Sequence, residues 1–170
     1  MKIAEIETIP LAIPFTHGGK PAGWGGKAWT SLSILLVKVT TETGLTGYGE
    51  AFSYNCLGPV RAALDDMVAP IIIGQEVDDI GAFLGEVQQK LHLFGRYGIV
   101  MFALSGLDIA LWDIAAKSKN IPLWQLLGER RQDRLPAYAS LYRYGEPEIV
   151  AERCSQAIGE GYGWIKLHET

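Results

Sequence analysis

The sequence predicts an α+β domain that is followed by the beginning of a parallel α/β domain. Three observations predict this order. Strand-forming segments fill residues 1–51, helical periodicity replaces them from Pro59 onward, and a strand–helix–strand pattern occupies residues 135–168. The 170 residues are enough for one sizeable core, or for one domain and the start of another.

Three strands are predicted in the first third of the chain. Residues 2–14 are rich in isoleucine, and residues 31–41 are dense in β-branched and aliphatic side chains, a composition that favours strands. Residues 42–44 (Glu-Thr-Gly) supply turn chemistry, and residues 45–51 return as a third strand. We therefore expect a three-stranded antiparallel sheet that contains a β-hairpin.

A glycine-rich loop joins the first two predicted strands. Residues 14–29 contain five glycines together with His17, Trp24 and Trp29. Glycine-rich loops are flexible, and exposed tryptophans are costly unless something covers them. The loop is predicted either to cover a small-molecule site or to pack against a neighbouring domain, and its composition favours neither.

Three helices are predicted in the middle of the chain. The first covers about residues 60–69 and ends at Pro70, and the second begins at Asp78, its predicted N-cap, and continues to about residue 94. The longest covers about residues 100–119, where apolar side chains recur three or four positions apart. This spacing places them on one buried face.

A parallel βαβ unit is predicted at the C-terminal end. Residues 135–142 and 164–168 are predicted strands, and residues 147–160 a helix between them. The charged segment 129–134 precedes this unit and is the predicted domain boundary. Because two parallel strands cannot bury themselves, we expect further strands beyond Thr170.

The second strand of this unit carries Lys166 and His168. Positions two apart in a strand point to the same face, roughly 6.6 Å apart. Two basic side chains on the inner face of a buried strand would be costly to desolvate, which favours a functional role. The alternative is an edge strand on which both side chains are simply solvated.

Composition argues against several classes of protein. The net charge is −4 and the lysines and arginines are scattered, so no nucleic-acid surface is predicted. Cys56 and Cys154 lie far apart and form no CxxC pair, which argues against a disulfide framework or a zinc site. The acidic N-terminus does not resemble a signal peptide, and no apolar run is expected to approach the ~18 residues of a membrane span. A cytoplasmic location is the prediction.

Two segments close to the domain boundary carry a family resemblance. Residues 103–117 (ALSGLDIALWDIAAK) and 122–128 (PLWQLLG) resemble closely a signature of the mandelate racemase and muconate lactonizing branch of the enolase superfamily, over 26 positions. The Met-Lys-Ile start, a Gly47-Tyr48-Gly49-Glu50 turn closing the hairpin, and the Lys-x-basic strand at residues 166–168 agree with it. The resemblance covers essentially the whole chain.

The resemblance implies a fold and a chemistry. Residues 1–128 would form an α+β capping domain, and residues 129–170 the truncated start of a (β/α) TIM-type barrel. Such enzymes remove the proton beside a carboxylate while Mg²⁺ stabilises the enediolate. The family's Lys-x-Lys strand corresponds to Lys166-Leu167-His168, so His168 is the expected base and Lys166 its electrostatic partner. The magnesium ligands lie on later barrel strands in the family and are expected beyond residue 170.

The resemblance also points to residues that contact substrate. The family uses the loop after the first strand and the loop after the hairpin as lids, which implies roles for His17, Trp24, Trp29 and Tyr54. Ser140 and Tyr142 lie on one face near the end of the first barrel strand, where barrel sites form, although packing is an equal alternative. Asp108 and Asp113 are expected to be structural, and Asp113 can pair with Lys117 one turn later.

The leading hypothesis is therefore an enzyme that acts on a small carboxylate, a hydroxy acid or sugar acid, most simply as a dehydratase. A racemase, epimerase or cycloisomerase of the same family is the alternative within this chemistry. A homo-oligomer is expected from the resemblance. If the chain truly ends at Thr170, the competing hypothesis is a non-catalytic oligomerising or binding module.

Overall fold

A computed structural model of the chain describes residues 1–16, 18 and 29–169. They fall into two compact units, the first formed by residues 1–13 and 33–129 and the second by the described residues within 14–32 and 130–169. The domain boundary predicted between residues 128 and 129 stays a prediction.

The first unit contains the predicted antiparallel sheet. Strands β1 (Ile3–Pro14), β2 (Ser31–Thr41) and β3 (Thr46–Ala51) lie in the order β1-β2-β3. β2 pairs antiparallel with β3, with Val37 opposite Gly49. The turn between them is closed by the Thr41 N–H, which donates to the Leu45 carbonyl at 2.9 Å. The three-stranded sheet and its hairpin are confirmed.

The first helical segment is longer than predicted and changes its winding. Helix α1 (Leu57–Ala62) continues as a π-helical turn (Ala63–Val68) and then as α2 (Ala69–Ile72). The Ala69 N–H donates to the Leu64 carbonyl, five residues back. The prediction that Pro70 ends the helix is wrong. Proline lacks the N–H of a regular helical turn, and the wider turn just before it accommodates that loss.

The next helix starts one residue later than predicted. Helix α3 (Ile80–Lys90) has Asp79 as its N-cap, and the Asp79 carboxylate accepts from the Ala82 N–H at 2.7 Å. The assignment of Asp78 is wrong because the carboxylate that accepts from the first-turn N–H is that of Asp79, one residue later. The helix also ends earlier, and a short 3₁₀ turn (His92–Phe94) follows it.

Helix α4 (Ile99–Ser118) is the predicted long helix, and it packs on β3. Gly47-Tyr48-Gly49-Glu50, predicted as a turn, lies within β3. Close packing against α4 explains why this strand contains two glycines. A Cβ on Gly47 would overlap the Ala110 carbonyl oxygen, and one on Gly49 would overlap that of Gly106. Glycine is required in this strand because the helix backbone lies directly against it.

Asp113 stabilises the outer side of the contact between α4 and β3. Its carboxylate accepts from the Tyr48 N–H at 2.9 Å and from the Lys117 ammonium at 2.6 Å. Lys117 also donates to the Thr46 carbonyl at 3.0 Å. The predicted Asp113–Lys117 pair is confirmed, and it anchors α4 to the backbone of β3.

Within the described residues, α4 is the one helix whose length and apolar composition would also suit a membrane span. The sequence-based statement that no apolar run approaches this length is therefore wrong. Half of its apolar stretch is buried inside the protein, as in the core helix of a globular fold. Its buried side chains join those of β2 in the core, among them Leu35, Val37, Leu107 and Leu111.

The second unit contains the predicted parallel βαβ arrangement. Helix α5 (Leu123–Leu127) closes the first unit, and the second continues with β4 (Ala139–Ser140), α6 (Pro147–Gly159) and β5 (Ile165–Lys166). β4 and β5 are parallel, as predicted. Each strand is much shorter than predicted, since the described pairing covers only Ala139 with Ile165 and Ser140 with Lys166.

Candidate active site

The face of the β4–β5 sheet that carries Lys166 is defined by the register. Ser140 lies opposite Lys166, and Ala139 opposite Ile165. Partners in a parallel pair project to the same side, so Ser140 and Lys166 share one face. Both are exposed, whereas Ala139 and Ile165 on the other face are partly buried. The expectation that Lys166 lies on a buried inner face does not hold for the residues described.

His168 lies beyond the end of β5, so strand alternation does not place it. Its position is set by a hydrogen bond, since Nδ1 lies 2.6 Å from the Leu141 carbonyl oxygen. A carbonyl oxygen can only accept, so Nδ1 must carry the proton. In the neutral ring Nε2 then holds the lone pair. The side chain is exposed, so this nitrogen is presented as a proton acceptor at the end of the sheet.

Glu169 was not singled out from the sequence, yet it fixes the loop between β4 and α6. Its two carboxylate oxygens accept from the backbone N–H groups of Tyr144, at 2.7 Å, and Gly145, at 3.0 Å. Hydrogen bonds to a charged acceptor are the stronger kind. The sequence does not indicate that Glu169 holds this loop, because its hydrogen-bond partners are backbone N–H groups about 25 positions earlier in the chain.

Aromatic side chains surround the start of that loop. Trp29 packs edge-on against Phe15, with ring centroids 5.1 Å apart, and it packs in a tilted arrangement against Tyr142, at 5.9 Å. Tyr142 also contacts Tyr144, at 6.0 Å. The structure therefore brings together two predicted substrate residues, Trp29 and Tyr142, and it does so through ring packing.

The remaining predicted substrate residues are placed separately. Tyr54 belongs to the first unit, where it packs on Phe52 with centroids 6.4 Å apart, and Phe52 packs on Phe102 at 4.8 Å. His17 and Trp24 lie outside the described residues. The roles predicted for all of these residues stay predictions.

The described residues do not form a magnesium centre. Among the described residues, no group of three His, Cys, Asp or Glu side chains could hold a metal ion. The carboxylate next to His168, that of Glu169, is already engaged by two backbone N–H groups.

Comparison with known proteins identifies the family. Residues 20–128 match the model of the mandelate racemase / muconate lactonizing enzyme family, N-terminal domain. A D-gluconate dehydratase from Thermoproteus tenax is 34% identical over 141 residues, which are 82% of this chain and 28% of that protein. The chain thus spans less than a third of the length of this curated relative.

Two solved structures extend the likeness to the fold. A member of the enolase superfamily from Polaromonas sp. JS666 superposes with a TM-score of 0.84 at 33% identity, covering 98% of this chain and 44% of that one. A mandelate racemase/muconate lactonizing protein from Paracoccus denitrificans PD1222, complexed with magnesium, gives a TM-score of 0.76 at 28% identity, covering 98% of this chain and 41% of that one.

The fold is therefore that of an enolase-type N-terminal capping domain with the start of a barrel. The chain belongs to the mandelate racemase / muconate lactonizing enzyme family.

Proposed function

We propose that the full-length protein removes the proton alpha to the carboxylate of a sugar acid or related hydroxy acid, and acts as a dehydratase. The observation that carries this is the Nδ1 contact of His168 to the Leu141 carbonyl. It leaves Nε2 as the lone-pair nitrogen of an exposed ring. Family membership and the similarity to a D-gluconate dehydratase support the reaction class.

The proposed roles follow from the chemistry of each side chain. His168 takes the α-proton through Nε2, and the Lys166 ammonium offsets negative charge that develops on the substrate carboxylate. The β-hydroxyl then leaves, and together with the proton held by His168 it makes up the one water removed; the enol that remains tautomerises to the 2-oxo acid. The hydroxyls of Ser140 and Tyr142 are proposed to bind substrate hydroxyls, while Trp29, Tyr54, His17 and Trp24 cover the site.

Magnesium is proposed as the cofactor of the full-length protein. A related structure is complexed with this ion, and a divalent cation on the carboxylate would stabilise the enediolate. Its ligands are proposed to lie outside these 170 residues. Homo-oligomerisation and a cytoplasmic location stay predictions.

The test is α-proton exchange in deuterated solvent by the full-length protein with magnesium and D-gluconate, followed by NMR. His168→Asn retains a donor near the Nδ1 position but removes the basic nitrogen, so we expect exchange to slow by roughly 10²- to 10⁴-fold. His92→Asn is the matched control, because His92 also bonds a carbonyl through Nδ1, that of Gln89 at 2.7 Å, on an exposed turn.

The outcomes separate the alternatives. Exchange together with a 2-oxo product supports a dehydratase, whereas exchange without loss of water supports a racemase or epimerase. Wild-type exchange that His168→Asn leaves unchanged would rule out His168 as the base. Absence of both exchange and turnover across a panel of sugar acids would contradict the proposed function.

A further inference from the structure

Two consecutive side chains, those of His168 and Glu169, bind the same short segment of backbone. His168 Nδ1 lies 2.6 Å from the Leu141 carbonyl oxygen. Glu169 accepts from the N–H groups three and four positions further on, those of Tyr144 and Gly145. This segment connects β4 to α6, so the proposed base and its neighbour are tied to one connection.

The Leu141 carbonyl is not held by the sheet. Among the described residues, the last backbone hydrogen bond between the two strands joins the Leu141 N–H to the Lys166 carbonyl oxygen at 3.0 Å. The Leu141 carbonyl belongs to the next peptide unit, which it shares rigidly with Tyr142. The direction of this carbonyl therefore depends on the chain that follows it, residues 142–145.

Glu169 fixes that chain with two charge-assisted hydrogen bonds. Successive N–H groups that converge on one acceptor form an anion-binding concavity, and here those of Tyr144 and Gly145 hold the two oxygens of one carboxylate. The bond to Tyr144 is partly buried, which strengthens it relative to a bond in water. Gly145 adopts a φ of 77°, which glycine adopts without strain.

We propose that Glu169 is a positioning residue for the base. By holding residues 144 and 145 it fixes the direction of the Leu141 carbonyl, and that carbonyl keeps the proton of His168 on Nδ1. If the carbonyl turns away, the ring can carry its proton on Nε2, which then has no lone pair to accept the α-proton. The inference rests on the proposed function for the role of His168 as base, whereas the effect of Glu169 on the ring is measured without turnover.

The tautomer of His168 is the direct readout. The chain has three histidines, so long-range ¹H–¹⁵N correlation of the ¹⁵N-histidine-labelled 170-residue chain resolves each ring. Glu169→Gln keeps the length of the side chain but replaces one acceptor oxygen with an NH₂ group that faces a backbone N–H. We expect the ratio of the Nδ1–H to the Nε2–H form to fall by about threefold or more, because a charge-assisted bond is lost. An unchanged ratio would overturn the proposal.

Asp79→Asn is the matched control, because the Asp79 carboxylate also accepts from a backbone N–H, that of Ala82 in the first unit. The His168 ratio should keep its wild-type value in this variant. An equal fall would show that loss of a charge elsewhere in the chain changes the ratio, and would overturn the assignment to Glu169.

A second pair of variants changes the other partner of the carboxylate. Gly145→Ala adds a methyl group into open space at a positive φ, so it strains the backbone without a clash, and the ratio should fall by roughly twofold or more. Gly44→Ala is its control, since Gly44 also has a positive φ and open space around it. In the wild type, the Tyr144 and Gly145 amide protons should resonate downfield. Shifts typical of amides open to water would contradict the two bonds even if no variant folds.

Kinetics of the full-length protein separate positioning from substrate binding. In Glu169→Gln we expect kcat for α-proton exchange with D-gluconate to fall by about three- to tenfold while KM stays near wild type, because the base is misplaced and the substrate contacts remain. An unchanged kcat would overturn the positioning role. Failure of the proposed function is distinguished from this result, since it would appear as absence of exchange and turnover in the wild type.

Discussion

Three glycines determine how closely α4 approaches the sheet. Gly47 and Gly49 lie in β3, and Gly106 faces them from α4, where a Cβ would be 2.7 Å from a Val37 methyl group and 2.9 Å from the Ala51 Cβ. The sequence showed these residues as parts of a family resemblance. It did not show that they share one contact, because only the packed structure places a helix carbonyl over a strand glycine.

Gly49→Ala is expected to destabilise the protein by about 3 kcal/mol or more, since the added methyl overlaps backbone that cannot move without displacing α4. Denaturant unfolding measures the change. Gly85→Ala is the matched control. Gly85 lies inside α3 with open space around it, so alanine should raise stability by roughly 0.5–1 kcal/mol. Equal effects at the two positions would contradict the close contact.

His168 shows how far residue type alone can define a site. The identity of the basic pair and the family's Lys-x-Lys pattern identified Lys166 and His168. The ring nitrogen that holds the proton depends on the carbonyl of Leu141, 27 positions earlier. That partner follows from tertiary structure and has no sequence signal, as is also true for the backbone partners of Glu169.

At the scale of elements, strong periodicity gave correct predictions and helix ends did not. The apolar pattern of α4 and the strand composition of β2 placed both elements to within a residue. Pro70 misled the prediction because a π-helical turn precedes it, and such turns leave no clear pattern in one sequence. Adjacent aspartates at positions 78 and 79 compete for one cap, and only the backbone geometry decides between them.

The choice between these aspartates can be measured. Asp79→Ala should destabilise the protein by about 1 kcal/mol, because the Ala82 N–H loses its acceptor. Asp78→Ala should change stability by less than about 0.5 kcal/mol, as is usual for an exposed side chain. The reverse order of effects in thermal or denaturant unfolding would show that Asp78 is the cap.

At the scale of the whole molecule, burial is very unequal between the two units. The first contains the main core, formed by side chains of the sheet and of helices α1 to α4. In the second, the buried hydrophobic side chains among the described residues are Tyr144 and Ala157. The sequence predicted that the second unit would bury fewer side chains than the first, since two parallel strands with one helix cannot enclose a core. It could not predict that Phe15 and Trp29, at the two ends of the loop after β1, group with the second unit.

Hydrogen exchange on the 170-residue chain should reflect this inequality. Amides of α4 are expected to exchange with the highest protection, and those of α6 much faster, since few buried contacts oppose local opening there. Peptide-level mass spectrometry resolves the two helices. Protection of α6 equal to that of α4 would contradict the account of burial.

The central claim is that the His168 ring presents Nε2 as a base at the end of β5. Long-range ¹H–¹⁵N correlation of the imidazole in the 170-residue chain tests it most directly, since it reports which nitrogen is protonated in the neutral ring. The hydrogen bond to Leu141 predicts the Nδ1–H tautomer, with Nε2 showing the shift of a lone-pair nitrogen. A predominant Nε2–H tautomer would contradict it.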